Sequence, residues 1–365
     1  MSESFFMPVH VIMGENCVLE NKDRFKLGKK ALIVSGPSSA KKSGALDDVI
    51  KVLSDINIPY DIFDKVENNP TIENVYEGGQ FAKKVGADFI IGIGGGSPLD
   101  AAKAVAVYAT NDIEPMKIFD GVYESDPLPM ILIPTTAGTG SEVTQYSILT
   151  LNSIQNKRSF TSEKVFAKYA FLDGRYTMSL SLSVTINTML DAMSHCIESI
   201  LNKNSNTTSE MIALDGLRRI ARSIKYVKEG NIPLPVRQNL LVASTLGGIA
   251  IAQTGTTIPH SMGYQLTYFK DVPHGKANAL FMGEFLSFVE KSMPKKVALI
   301  YQALGLSGNS EFRSLIYSLI EKDVKITTEE ILKYASVSIN AKNVQNCPVK
   351  VTEEDEVMIY KNSLL

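Results

Sequence analysis

Several residue types are scarce or absent in this sequence, and each scarcity narrows the class of protein. Tryptophan is absent, and the three cysteines, Cys17, Cys196 and Cys347, are odd in number and widely separated. They resemble neither a disulfide framework nor a Cys-x-x-Cys metal site. Because isolated thiols suit a reducing compartment, we expect a cytoplasmic protein.

An excess of charge of one sign and long apolar runs are also lacking. The formal net charge is -2 over 365 residues, so we expect no nucleic-acid partner and no electrostatic attraction to a membrane. No apolar stretch approaches the roughly 20 residues that span a bilayer. Residues 1–20 lack the basic and apolar regions of a signal peptide. The length allows two domains and a large core.

Histidine is rare too, and three of the four histidines belong to one candidate constellation. Asp191 and His195 are four residues apart in the run 184–197, which has no proline or glycine and is typical of a helix. Positions i and i+4 share a helix face, so both side chains can hold one ion. His260 and His274 follow downstream. A carboxylate with imidazoles suits a divalent transition metal, although each residue taken alone also fits an ordinary structural role.

A glycine cluster follows an apolar strand at residues 89–93. Glycines at such a turn let backbone amides approach a pyrophosphate, and the following helix N-terminus favours its charge. Ser97 is predicted to be the N-cap of this helix, with Pro98 at the first helical position. An ordinary strand-to-helix turn fits the same pattern. The residues predicted to surround the pyrophosphate and the nearby ribose are Gly94, Gly95, Gly96, Ser97 and Asp100.

A second polar segment, Pro134–Glu142, follows the strand 130–133 and offers small hydroxyl residues and glycines with little bulk. An ordinary polar turn is the alternative interpretation. We predict that its threonines and one beyond it contact the nicotinamide side of a dinucleotide. These residues are Thr135, Thr136, Thr139 and Thr144.

Together these motifs resemble those of the iron-dependent (group III) alcohol dehydrogenases over nearly the whole chain. The order and spacing of the glycine turn, the segment Pro134–Glu142, residues 171–173, the Asp191/His195 helix and residues 273–278 carry the resemblance. The most similar members handle butanol, 1,3-propanediol and related short alcohols. The resemblance implies a homodimer that interconverts short primary alcohols or diols and aldehydes with a nicotinamide cofactor.

The resemblance also implies a set of site residues. The implied metal ligands, and so the catalytic residues, are Asp191, His195, His260 and His274. The ion is Fe²⁺ by resemblance, but mixed nitrogen and oxygen donors also accept Zn²⁺ or another divalent metal. Two positions depart from the family pattern. Tyr264 stands where some members carry a histidine thought to help move protons, and Pro259 precedes the third ligand, where alanine is common.

Cofactor preference is predicted from the segment after the first strand of the nucleotide fold. Relatives that prefer NAD tend to carry an aspartate where this chain has Gly36, and no acid lies in residues 35–42. Ser38 and Ser39 can donate hydrogen bonds to a 2′-phosphate, although they could instead cap the following helix. We therefore predict NADP(H) in preference to NAD(H). Asn69 and Lys157 match positions that contact cofactor in relatives, and a turn residue and a solvated lysine are their alternatives.

The pattern of strands and helices predicts two domains. Short apolar strands alternate with helical stretches up to about residue 177, which predicts an α/β nucleotide-binding domain with a parallel sheet at 1–178. Strand signals then almost vanish, so residues 179–365 are predicted to form an all-helical metal- and substrate-binding domain. The resemblance makes this fold dehydroquinate synthase-like. We expect the site in the cleft between the domains. Long helical runs are predicted at 210–228, 237–253 and 279–304.

Two other functions stay open from the sequence. A metal enzyme of the same fold that acts on a phosphorylated substrate would need basic side chains near the ligands, where only Lys270 and Lys276 are found. A purely structural metal site would usually contain thiolates, and this candidate set contains none.

Overall fold

The computed structural model describes residues 3–154 and 156–365. Contacts divide them into two compact units. The first, here called the α/β unit, comprises Met7–Leu180 and Pro233–Leu241. The second, the helical unit, comprises residues 3–6, Ser181–Ile232 and Val242–Leu365. The contiguous division at residues 178 and 179 stays a prediction, and the contact grouping differs from it in three short segments, 3–6, 179–180 and 233–241.

A six-stranded parallel sheet forms the centre of the α/β unit, in the order β1-β8-β5-β4-β2-β3. The central strands β2, β4 and β5 are buried along their whole length, and their continuous apolar sequences fit a sheet covered on both faces. This confirms the predicted parallel α/β fold. The strands are β1 His10–Met13, β2 Ala31–Ser35, β3 Tyr60–Phe63, β4 Phe89–Gly94, β5 Met130–Pro134 and β8 Tyr169–Leu172.

Two strands were not predicted from the sequence. The edge strand β1 is exposed at both of its ends, so it lacks the apolar run by which the inner strands were recognised. The other is β7 Asn156–Thr161, a largely polar strand that pairs antiparallel with β6 Tyr146–Leu151 in a separate two-stranded sheet.

Helices flank the strands of the α/β unit, and the start of one differs from prediction. The helix after β4 is capped by Gly95 and not by Ser97, because the glycines allow the helix to begin two residues earlier. The Ser97 hydroxyl instead accepts a hydrogen bond from the Asn69 backbone at 3.1 Å. The helices of this region are α1 Cys17–Glu20, α2 Ser39–Lys42, α3 Ala45–Asp55, α4 Ile72–Val85 and α5 Gly96–Thr110.

From Gly174 onward the described residues contain helices and turns but no strand, as the sequence predicted. The prediction of one continuous helix over 279–304 is wrong. Residues 291–293 interrupt it, and a second helix begins at Pro294, since proline is favoured in the first turn of a helix. These helices are α6 Leu182–Ile200, α7 Thr207–Lys228, α8 Leu234–Thr254, α9 Ile258–Lys270, α10 His274–Glu290, α11 Pro294–Leu304, α12 Asn309–Tyr317, α13 Thr328–Ser338 and α14 Glu353–Leu364.

In the part of the chain that the structure describes, no single helix has the length and apolar composition needed to cross a bilayer. The helices α8 and α9 pass that test only as a pair, and they are bent by 113° at the break between them.

Candidate functional site

Helix α6 supplies the first two residues of the candidate metal cluster. Its N-cap Ser181 accepts a hydrogen bond from the Val184 backbone, and the helix then continues unbroken to Ile200. Asp191 and His195 are buried on one face of this helix, as their spacing predicted.

Two glycines allow the other ligand-bearing helices to come close. A Cβ atom on Gly275 would lie 1.8 Å from the Asn187 carbonyl oxygen, so the start of α10 packs directly on the backbone of α6. A Cβ atom on Gly263 of α9 would lie 2.1 Å from Oδ1 of Asn278 on α10. These contacts leave no room for a side chain. They explain why glycine occupies both positions beside the histidines.

The unusual Pro259 fits the local backbone. Helix α9 begins at Ile258, so Pro259 lies in its first turn, where a backbone N–H has no partner within the helix. His260 follows directly and is buried. The departure from the family pattern at Pro259 is therefore accommodated by the helix start.

The candidate ligand atoms of Asp191, His195 and His260 all lie within 4.8 Å of one another, and His274 lies beside this group. Nε2 of His260 lies 3.1 Å from Nε2 of His195, and Oδ1 of Asp191 lies 3.9 Å from His195 Nε2 and 3.7 Å from His260 Nε2. Nε2 of His274 is also 3.7 Å from that carboxylate oxygen. A tetrahedral ion with bonds of about 2.1 Å would have ligand-to-ligand edges of about 3.4 Å. The observed separations bracket this value, so the donor set fits a divalent ion.

The hydrogen-bond chemistry of the cluster supports the same fit. The amide nitrogen of Asn278 lies 3.2 Å from Oδ1 of Asp191 and from Nε2 of both His260 and His274. An amide group has two protons, so it cannot satisfy three acceptors. Oδ1 of Asn278 is buried and has no hydrogen-bond partner among residues 3–154 and 156–365. This surplus of acceptors around one point is what a cation would neutralise.

Burial and neighbouring charges shift the pKa values of the cluster. Desolvation acts to raise the pKa of Asp191, but the three histidines and Asn278 outweigh it and the pKa is lowered. Desolvation acts to lower the pKa of His260, but the charge and hydrogen bond of Glu198 outweigh it and the pKa is raised.

His274 forms the more exposed side of the cluster. Its side chain is 28 % exposed, compared with 2 % for His260 and 7 % for His195. The ring of Tyr264 stacks on His274, with centroids 5.4 Å apart and planes 10° from parallel. His274 and Tyr264 therefore lie on the side of the cluster that is most accessible to solvent.

One residue of this cluster was missed from the sequence. Glu198 is fully buried on α6, and its carboxylate lies 2.5 Å from Nδ1 of His260. Its position, seven residues after Asp191 and three after His195, puts it on the same helix face. That spacing was the signal that could have identified it.

In the α/β unit, the glycine turn packs against the predicted threonine segment. Gly94 has φ +151°, and its carbonyl accepts a hydrogen bond from the Thr135 backbone at 2.8 Å. A Cβ atom on Gly95 would lie 3.2 Å from Thr136, and one on Gly96 would lie 2.7 Å from Cγ2 of Thr139. The two motifs thus form one surface at the carboxyl ends of β4 and β5, as predicted for strand ends in such sheets.

Asn69 and Lys157 join this region. Asn69 has a left-handed backbone with φ +57°. Its N–H donates to the Ser97 hydroxyl, and its carbonyl accepts from Thr150 Oγ1 at 3.0 Å. Nζ of Lys157 donates to Oδ1 of Asn69 at 2.8 Å. Three of the predicted cofactor residues, Asn69, Ser97 and Lys157, are therefore adjacent.

Asp100 and Thr144 are engaged inside the protein. The carboxylate of Asp100 accepts from Ser141 Oγ at 2.5 Å and from the Ile148 backbone at 3.0 Å. Thr144 accepts from Nζ of Lys103, a fully buried lysine that also donates to Ser141 and to the Tyr146 carbonyl. Burial lowers the pKa of Lys103 to about 8. Direct cofactor contacts of Asp100 and Thr144 stay predictions, and in this structure both residues anchor the threonine segment.

Residues 35–42, the segment predicted to set the preference for NADP(H) over NAD(H), lie near the same glycine turn. Gly36 is buried, whereas Ser38 and Ser39 are exposed. Ser38 is the N-cap of α2, but its side chain makes no cap hydrogen bond. A Cβ atom on Gly36 would lie 3.8 Å from Pro98 at the start of α5. The nearby acid Asp48 is bound to Arg175 and Tyr176.

Comparison with known proteins agrees with this arrangement. The family described as iron-containing alcohol dehydrogenase matches residues 8–174, and its C-terminal domain matches residues 185–364. The chain belongs to the iron-containing alcohol dehydrogenase family.

Individual relatives cover most of the chain. It is 32 % identical over 306 residues to 1,3-propanediol dehydrogenase from Citrobacter freundii, a match over 83 % of this chain and 77 % of the relative. It is 29 % identical over 323 residues to NADPH-dependent butanol dehydrogenase from Clostridium saccharobutylicum, covering 87 % and 81 %. An iron-containing alcohol dehydrogenase from Thermotoga maritima superimposes with a TM-score of 0.92 at 40 % identity, covering 100 % of this chain and 99 % of that chain.

Nothing in these findings supports a phosphorylated substrate. The two lysines that such a substrate would need are paired with acids, Lys276 with Asp323 at 2.5 Å and Lys270 with Glu330 at 2.6 Å. As a family member, the chain is an alcohol dehydrogenase that interconverts alcohols and aldehydes.

Proposed function

We propose that this enzyme acts on short primary alcohols or diols and the matching aldehydes, with one divalent metal held by Asp191, His195, His260 and His274. The observation that carries the proposal is the convergence of Asp191, His195 and His260, whose ligand atoms all lie within 4.8 Å of one another. His274 extends the group through its contact with Asp191. Names of the relatives, butanol and 1,3-propanediol dehydrogenases, support the short-chain substrate class.

The residues divide the work of the reaction. A divalent ion in the cluster supplies Lewis-acid stabilisation of negative charge on the substrate oxygen, and a nicotinamide exchanges the hydride. Asp191 contributes one negative charge and helps to hold the imidazoles in place. Burial of His195 and His260 excludes water from one side, and the more exposed His274 leaves the other side open to substrate.

The proposed dinucleotide site is the surface formed by Gly94–Ser97, Thr135–Thr139, Asn69 and Lys157. Backbone amides at the start of α5 would face the pyrophosphate. We further propose NADP(H) as the preferred cofactor, because Ser38 and Ser39 are exposed beside Gly36 and no acid occupies that segment. A cytoplasmic homodimer completes the proposal.

A reductase assay tests the proposal directly. Protein purified without oxygen is analysed for bound metal and then assayed with butanal and 3-hydroxypropanal, using NADPH and NADH in parallel. We expect about one metal ion per chain, reduction of both aldehydes, faster turnover with NADPH, and loss of activity after chelation that added Fe²⁺ or Zn²⁺ restores. Full activity after complete removal of metal would contradict the metal-dependent mechanism.

A further inference from the structure

Glu198 has a buried position that the ligand set alone does not explain. Its side chain is 0 % exposed, and both of its carboxylate oxygens accept hydrogen bonds. Oε2 accepts from the backbone N–H of Thr257 at 2.6 Å and from its hydroxyl at 3.0 Å. Oε1 lies 2.5 Å from Nδ1 of His260. Burying a carboxylate without partners is costly, and these three contacts offset that cost. They also hold the carboxylate against His260.

The contact with His260 decides which of its ring nitrogens carries the proton. An ionised carboxylate only accepts, so Nδ1 of His260 must be the donor. In the neutral imidazole, Nε2 then carries a lone pair. That nitrogen is the one that lies 3.1 Å from His195 and 3.7 Å from Asp191. Glu198 thereby turns the metal-binding nitrogen of His260 toward the centre of the cluster.

We propose that Glu198 is a positioning residue of the metal centre, which fixes the tautomer and orientation of His260. This inference rests on the proposed metal site. Hydrogen bonds of this kind orient metal-bound histidines and raise their basicity.

A carboxamide cannot replace this carboxylate. In a Glu198→Gln variant, the single oxygen can face either the Thr257 donors or Nδ1 of His260. The amide N–H₂ then meets a donor on the other side. When the amide N–H₂ faces His260, relief requires the His260 proton to move to Nε2, where it would occupy the position of the metal. When the N–H₂ faces Thr257, the backbone N–H of Thr257 loses its acceptor. The substitution keeps the shape and volume of the side chain, so the fold has no steric reason to change.

The test measures metal affinity and not only activity. Metal-free protein is titrated with Zn²⁺ in competition with a chromophoric chelator, and the ligand field is followed with Co²⁺. We expect Glu198→Gln to weaken Zn²⁺ binding by about 10- to 100-fold and to change the Co²⁺ spectrum. Glu356→Gln is the matched control, because it removes another fully buried carboxylate of the helical unit, one that is bonded to Ser338, a residue outside the cluster. Its Zn²⁺ affinity should equal that of the wild type.

The outcomes separate this inference from the proposed function. Wild-type protein that binds no Zn²⁺ would refute the metal site itself. Wild-type protein that binds Zn²⁺, together with a folded Glu198→Gln variant of equal affinity, would refute the role of Glu198 alone.

A measurement on the wild-type protein tests the proposal even if the Glu198→Gln variant does not fold. Only four histidines contribute to a spectrum of ¹⁵N-histidine-labelled protein, and a His260→Gln sample assigns the signal. In the Zn²⁺-loaded enzyme we expect a proton on Nδ1 of His260 and metal on Nε2. A proton on Nε2, or metal on Nδ1, would overturn the proposal.

Discussion

The two candidate sites of this enzyme are built in different ways. In the helical unit, the candidate metal cluster is made by side chains from α6, α9 and α10. These helices can approach closely because Gly263 and Gly275 have no side chain. In the α/β unit, the surface is made by backbone, and several polar side chains beside it are bound to one another. Helical spacing thus predicts which side chains meet on one helix face, whereas a glycine motif locates a turn without showing which neighbouring side chains are available to a ligand.

The largest expected effect comes from breaking the helical site. His260→Ala removes a buried donor and leaves Glu198 without its imidazole partner, so we expect loss of tight metal binding and a fall in turnover of roughly a thousandfold or more. Metal content and kcat with butanal measure both effects. His10→Ala is the matched control, since His10 lies exposed on β1 and outside the cluster. A His260→Ala enzyme with full metal content and normal activity would refute the ligand assignment.

This comparison also shows how far the sequence could lead. The pair Asp191 and His195 followed from helical spacing, and the family resemblance added His260 and His274. Glu198 was overlooked because a glutamate on an amphipathic helix usually faces solvent, and only tertiary packing against Thr257 buries it.

In the α/β unit, too, part of the candidate site could not be predicted from the sequence. The glycine turn and the threonine segment were both recognised from the residues. The lysine at 103 looked like an ordinary helical residue, yet it is fully buried and bonded to Ser141 and Thr144. Which polar side chains face a ligand and which hold the loop depends on three-dimensional neighbours that no local pattern records. The start of α5 also differs from the predicted one, because the chain around Gly95 and not the Ser97 side chain sets the cap of the helix.

The next largest effect tests whether the glycine turn serves the cofactor or only the loop. Gly96→Val should raise the KM for NADPH about tenfold or more and leave the aldehyde KM nearly unchanged, because a side chain there blocks close approach of a pyrophosphate. The structure offers a second cause, since the added Cβ would lie 2.7 Å from Cγ2 of Thr139.

A double variant distinguishes the two causes. Thr139→Ser deletes the methyl group that Gly96→Ala would meet. If the double variant Gly96→Ala/Thr139→Ser regains the wild-type KM for NADPH, the glycine is required by loop packing. If the KM stays high while Thr139→Ser alone behaves normally, the glycine is required by the cofactor.

A smaller effect is expected at the edge of the cofactor surface. Gly36→Asp should shift the ratio of kcat/KM for NADPH over NADH toward NADH by about tenfold, because the new carboxylate would repel a 2′-phosphate and accept hydrogen bonds from ribose hydroxyls. A Cβ atom fits at this position, since its nearest neighbour, the Val66 carbonyl oxygen, is 3.4 Å away. Gly36→Ala separates charge from size. A wild-type enzyme that favours NADH would overturn the proposed preference.

The last prediction concerns the stability of the folded protein and compares two buried carboxylates of the helical unit, Glu198 and Glu356. Glu198 has donors on both oxygens, but Glu356 bonds to Ser338 through one oxygen, and its Oε1 has no hydrogen-bond partner among the described residues. Burial raises the pKa of Glu356 from 4.5 to about 7. Between these values the folded protein holds a proton that the unfolded chain has released, so the free energy of unfolding falls as pH rises from about 4.5 to 7.

Glu356→Gln cannot titrate and mimics the protonated carboxyl, so its stability should lack this decline. We expect the variant to be nearly equal to the wild type at pH 5 and more stable by about 1–3 kcal/mol at pH 8. Urea unfolding of both proteins, loaded with the same metal, at the two pH values measures the difference. A difference in stability that does not change with pH would show that Glu356 ionises normally and that its buried oxygen is satisfied. The same variant should keep wild-type metal affinity, because Glu356 bonds to Ser338, whereas Glu198 contacts the proposed ligand His260.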